Sequence, residues 1–153
     1  MNPASPLPVV HRLSVPLAPE QAFDLFVRQI ARWWPFASHS CGGDDAVDVQ
    51  FEPRVGGAVT ELTRSGAHHP WGTLTAWEPP VHFAMTWHPA QPAARATLLS
   101  VRFEADPGGC RVELVHGGWE ARGADAAEVR DGYQEGWALV LARYRQCAEE
   151  DTR

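Results

Sequence analysis

The segment DAAEVRDGYQEGWALVLARYRQCAEE, residues 125–150, limits the fold more than any other stretch of the chain. Val129, Tyr133, Trp137, Val140, Tyr144 and Cys147 recur at spacings of four and three, which predicts a long helix with one apolar stripe. A lone helix cannot bury its own stripe, so the rest of the chain must supply a surface to cover it. Asp125 is expected as the N-cap, with Glu128 three residues on completing a capping box. Gly132 and Gly136 each cost about 1 kcal/mol relative to alanine inside a helix. Something is therefore expected to approach the backbone there, a closely packed strand by preference or else a ligand.

The upstream sequence offers that surface as short alternating stretches separated by turn residues. VVHRLSVPL (9–17) puts Val9, His11, Leu13 and Val15 on one face, and VDVQFEP does the same for Val47, Val49 and Phe51. AVTELT and WGTLTAW follow, then VHFAMTW with Phe83, Met85 and Trp87 together. TLLSVRF aligns Leu99, Val101 and Phe103, and CRVELVH aligns Cys110, Val112, Leu114 and His116. Between the first two strands, residues 18–35 read as a helix: Pro19 suits its first position, and Phe23, Phe26, Val27, Ile30 and Trp34 form its stripe. Pro35 cannot continue it, so Trp33 and Trp34 are expected at its very end, beside the loop ASHSCGGDD. The order predicts an α+β domain, a seven-stranded antiparallel sheet with one face covered by the long helix and one end closed by the first.

Net charge is −6, and all thirteen basic residues are arginine. No basic cluster exists to grip nucleic acid or an anionic membrane surface. The apolar runs fall short of the ~20 residues that cross a bilayer, so no membrane insertion is expected. Cys41, Cys110 and Cys147 are odd in number and far apart, which predicts free thiols in a reducing, cytoplasmic setting. MNPASPLP has no signal-peptide pattern, and residues 1–8 are expected to be an unstructured tail before a single domain over 9–150. No metal or other cofactor is expected. His68 and His69 read as turn residues pointing apart, and His82 and His88 fall six apart on the outer face. Gly56–Gly57 and Gly108–Gly109 are turns with no helix N-terminus after them to hold a phosphate.

Several local sequences, taken in order, resemble the helix-grip proteins of the START-like (SRPBCC) superfamily. They are APEQAFDLF, WWP followed by HS, FEPRVGG, WGTLTAWEPP leading to TW, VELVHGGWE and GYQEGWALVLARY. The resemblance is greatest to the branch named after activators of the heat-shock protein 90 ATPase, and it runs from about Val9 to Glu149. It implies a sheet curled around the C-terminal helix, a helix pair after the first strand, and a cavity between sheet and helix. Superfamily members bind hydrophobic ligands such as lipids, polyketides and steroids, and some catalyse reactions on them.

Strand alternation turns His116 inward with Val112 and Leu114, making it the first polar candidate for such a cavity. Glu61 shares a face with Val59 but is expected at the surface, since a buried carboxylate needs partners. His39 and Ser40 follow the tryptophans, without the base, orienting group and oxyanion donors that a nucleophilic triad requires. The expected walls are Trp34, Phe36, Trp71, Trp87, Trp119, Tyr133 and Trp137, with His39 and His116 as polar contacts. The function so read is binding of a small hydrophobic or aromatic molecule. The alternatives are an enzyme acting on it with His116 as acid or base, and an interaction module that stimulates a chaperone ATPase. Self-association as a homodimer is left open.

Overall fold

A computed structural model describes residues 6–152. Seven antiparallel strands form one sheet in the order β1-β7-β6-β5-β4-β3-β2. They are β1 (Val9–Val15), β2 (Ala46–Phe51), β3 (Ala58–Thr63), β4 (His68–Glu78), β5 (His82–Trp87), β6 (Thr97–Asp106) and β7 (Gly109–Gly117). Two helices, α1 (Pro19–Val27) and α2 (Ala126–Glu150), pack on its concave side, α2 against β1 and α1 against β6 and β7. This is the α+β order that the sequence pattern predicts and the helix-grip arrangement that the resemblance implies.

Period-two alternation sets the inner face. Val9 and Val15 of β1, Leu99, Val101 and Phe103 of β6, and Cys110, Val112, Leu114 and His116 of β7 are all buried. Curvature comes from β4. Between Val59↔Gly72 and Thr60↔Pro70 the pairing skips Trp71, and between Leu74↔Met85 and Ala76↔Ala84 it skips Thr75. Each extra residue bends the strand and re-aims a side chain. Gly72 permits the bend, because a Cβ there would lie 1.7 Å from the Thr86 carbonyl oxygen.

Several expectations need correction. α1 stops at Val27, its cap Arg28 N–H bonding the Asp24 carbonyl, and a separate 3-10 turn at Ile30–Arg32 carries the chain to the tryptophans. The helix thus ends well before Pro35, and the second member of the expected helix pair is this single turn. Val47 is 37% exposed, because a register shift between Ala46 and Asp48 breaks the alternation that would have placed it beside Val49. His68 and His69 open β4 instead of forming a turn. Asp125 makes no side-chain cap, since its backbone (φ −91°, ψ 1°) lies in the short turn between the kink at Gly123, within Trp119–Asp125, and α2, and lacks the extended conformation an N-cap needs. Of the expected tail, residues 1–5 lie outside the described residues. Leu7 and Pro8, irregular in backbone, are tied down by Arg130, whose guanidinium donates to both carbonyls.

Candidate functional site

A cavity of about 260 Å³ opens between the β4–β5 end of the sheet, α2 and the loop that follows the tryptophans. Its walls are Trp34, Trp71, Trp87, Trp137, Tyr133 and Val140, and its mouth is framed by Ser38–Cys41 and by Pro89–Ala90. The four indoles touch in sequence: Trp34 lies 5.0 Å from Trp71, Trp71 5.2 Å from Trp87, and Trp87 5.2 Å from Trp137, centroid to centroid. Each indole N–H is spent on the protein. Trp34 donates to the His39 carbonyl, Trp71 to Glu61, Trp87 to the Tyr133 hydroxyl and Trp137 to His116 Nδ1, all at 2.8–3.0 Å. The cavity therefore presents ring surface and few donors.

Glu61, expected at the surface, is 0% exposed. Its Oε1 accepts from the Cys41 N–H and the Trp71 indole, both at 2.9 Å, and its Oε2 from the Gly42 N–H at 2.7 Å. Three donors meet an acceptor-only group, which is how a carboxylate is buried at tolerable cost. It fastens a wall and the mouth loop to the same strand. Gly42 fits only as glycine, since a Cβ would come within 2.7 Å of Thr63 Cγ2.

His116 does not reach the cavity. It is fully buried, accepts from Trp137 at Nδ1, and meets Thr97 Oγ1 with Nε2 at 2.7 Å; Thr97 donates onward to the Trp87 carbonyl. The relay is satisfied by a neutral ring protonated at Nε2. Burial, with the charge of Arg122 adding to it, lowers the pKa to about 3. Such a histidine holds two walls in place and is a poor acid or base at neutral pH. Trp119, also expected in the wall, stacks behind it at 4.4 Å, and Phe36 packs partly buried against the core. Neither lines the cavity.

The polar edge comes from residues nearer the mouth. His39 Nδ1 pairs with Ser38 Oγ at 2.7 Å, while Nε2 faces the bare Cα of Gly136, 3.8 Å from where a Cβ would stand. Gly136 lines the cavity and Gly132 faces open space, so close packing on a strand explains neither glycine. Ser40, also at the mouth, spends its hydroxyl proton on the Phe36 carbonyl. Desolvation raises the pKa of Tyr133, leaving a phenol that accepts from Trp87 and keeps its own proton to donate. Cys41, which residue patterning did not single out, has a thiol held protonated by burial and then by the Glu61 charge. Ala90 at the opposite lip has φ +61°, a costly backbone for a residue with a Cβ.

Away from the cavity, His82 is only 7% exposed because Glu78 and Ser100 flank it, at 3.1 Å from Nδ1 and 2.9 Å from Nε2. This has the order of an acid–histidine–serine relay. Ser100, however, sits in an interior strand paired on both sides, with no free N–H groups to hold an oxyanion. Among the described residues no three His, Cys, Asp or Glu side chains converge as a metal site, and no helix is long and apolar enough to cross a membrane.

Residues 16–149 match the family described as Activator of Hsp90 ATPase homolog 1-like protein. Among solved structures, the chain is similar to MLL2253 from Mesorhizobium loti, with 17% identity and a TM-score of 0.68 over 91% of this chain and 94% of that one. It is similar to the Aha1 dimer from Colwellia psychrerythraea, at 16% identity and a TM-score of 0.66 over 94% and 96%. An anthrahydroquino-gamma-pyrone synthase, Txn09, solved as a complex, shares 28% identity over 95% of this chain and 99% of its own, with a TM-score of 0.62. No curated protein matches the sequence.

Proposed function

The chain belongs to the Activator of Hsp90 ATPase homolog 1-like family, and we propose that it binds a small, flat, apolar molecule in the cavity between its curled sheet and α2. The observation that carries this reading is four indoles around one hollow, each with its N–H turned to a protein acceptor. Aromatic walls favour an aromatic guest by offset and edge-to-face contact. The volume of about 260 Å³ lies just under the ~300–1,000 Å³ of drug-sized pockets, which favours one or two fused rings over a lipid chain or a steroid. Burying roughly 300 Å² of apolar surface at ~25 cal/mol per Å² yields about 7.5 kcal/mol before the costs of association. Subtracting the ~4 kcal/mol or more that association costs leaves an expected dissociation constant in the millimolar range. Native mass spectrometry and tryptophan emission against a panel of one- and two-ring aromatics test it. A 1:1 adduct with altered emission is expected, and silence of both readouts across the panel would sink the binding role.

A second reading, an enzyme that transforms such a guest, is favoured by the 28% identity to a synthase along nearly the whole of both chains. His39 then replaces His116 as the group that handles a proton, because it lines the cavity and has a Ser38 hydroxyl to orient it. The His39→Ala variant separates the two. A binder retains its affinity within a few-fold, whereas an enzyme retains affinity and loses turnover.

A further inference from the structure

We infer that the guest carries an anionic group, a carboxylate being the simplest, received by the Trp119 indole N–H and the Arg122 guanidinium behind the Tyr133 wall. This rests on the reading of the cavity as a binding site and adds the chemistry of the guest's polar end. Trp119 Nε1 and Arg122 Nε are buried and meet no acceptor among the described residues, and the Trp119 side chain is 1% exposed. Buried N–H donors are almost always paired, so two orphans on one short element call for a shared acceptor. The two residues stand three apart in the turn that precedes the kink at Gly123 (φ 61°, ψ −128°), a spacing that puts side chains on one face in 3-10 geometry.

The orphan pair adjoins the cavity. The Trp119 ring lies 5.7 Å from that of Tyr133, and Tyr133 lines the cavity with its other side. Beside desolvation, the charge of Arg122 also acts to lower the pKa of both Tyr133 and His116. Nothing neutralises that charge: among the described residues no carboxylate comes within ion-pairing distance of Arg122. The neighbouring Arg95 adds positive charge, donating to the Arg122 carbonyl at 3.0 Å and to Gln91 Oε1 at 3.4 Å, with the exposed Asp125 as its ion-pair partner at 3.8 Å. In a chain of net charge −6, this is a local site for an anion. A guest reaches it when Tyr133 turns aside. That motion gives up one neutral hydrogen bond, from Trp87, and gains charge-assisted ones.

The test compares 2-naphthoate with 2-naphthol, one ring system with and without the negative charge, by calorimetry at neutral pH. The wild type is expected to prefer the acid by about tenfold or more, the scale of one charge-assisted hydrogen bond. Trp119→Phe, which keeps a ring and removes the N–H, and Arg122→Met, which keeps the stem and removes the charge, should each bring the ratio of naphthoate to naphthol affinity to within about twofold of one, the ratio being the readout. Near-ultraviolet circular dichroism checks that each variant is folded, and the partly exposed Arg122 serves if Trp119→Phe is not. Equal binding of the two probes by the wild type would leave the cavity reading intact and overturn the anion site, as would a preference that survives both substitutions. A buried water satisfying the two donors predicts that equality. Binding of neither probe would refute the cavity reading itself, and the anion site with it.

Discussion

Trp33 and Trp34 are neighbours in sequence with rings 5.8 Å apart, yet they belong to unlike halves of one core. Trp33 faces a filled half. It lies 5.1 Å from Phe26 and 5.0 Å from Tyr144, its indole donates to the Leu25 carbonyl, and Tyr144 donates to the Ala22 carbonyl. Phe23, Phe83 and Phe103 close the rest by edge-to-face contact. Trp34 faces the hollow half, where rings border space and are held from behind by Glu61, His116 and Tyr133. Aromatic content does not separate the halves. What differs is α2, which offers Tyr144 to one and the bare Gly136 to the other. One half is held by contact, the other by polar anchors.

The comparison can be broken most directly by cutting each tryptophan. Trp33→Ala removes a ring packed on all sides and should cost about 3–5 kcal/mol in urea unfolding. Trp34→Ala should cost about half of that or less, since part of its surface already borders a cavity. Equal losses would mean that the halves are packed alike.

Acid should attack the hollow half selectively. The unfolded state binds a proton at His116 near pH 6.5, while the folded state resists until about 3. Stability from this group is therefore complete above pH 6.5 and falls as pH drops toward 3, by up to about 1.4 kcal/mol per pH unit. His116→Gln should flatten that slope in chemical unfolding between about pH 6 and 4. An unchanged slope would show that the relay does not hold the ring neutral.

Glu61→Gln should be milder, about 1–3 kcal/mol, because the amide can accept from only some of the three donors. Its signature is local: the Cys41 and Gly42 amides should exchange with deuterium faster while those of α1 are unaffected. Uniform acceleration would instead make Glu61 a general stabiliser.

The smallest effects are the sharpest. Gly132→Ala and Gly136→Ala should each stabilise the protein by up to about 1 kcal/mol, measured by thermal unfolding. Only the second places a methyl group in the cavity, and only it should weaken binding of the naphthyl probes.

Strand identity and facing were readable because a period of two leaves little choice once Val, Leu and Phe alternate with charge. On that basis His116 turns inward, and it is fully buried. What it does there was not readable, since Trp137 and Thr97 come from elements that sequence order alone does not bring together. Glu61 failed for a related reason: two of its donors are backbone N–H groups in a loop 19 and 20 residues away, and such groups leave no trace in side-chain pattern. The end of α1 leaves no mark in the sequence because Pro35 sets only an outer limit, whereas the helix stops at Val27 and Ile30 and Trp33 enter the core from the turn that follows. Gly136 did carry a signal, an unfavourable residue inside an apolar stripe. Its cause is vacancy instead of crowding.

Helix α2 belongs to both halves. Tyr144 and Tyr133 are eleven residues apart on it, roughly 16 Å along the axis. A rod of that length acts as a lever: reseating one end by a fraction of an ångström is delivered to the other as tilt. The size of the guest is thus set partly by the Phe26 ring, the Ala22 carbonyl and the other groups that fix where Tyr144 rests. Altered selectivity can arise from positions no guest ever touches.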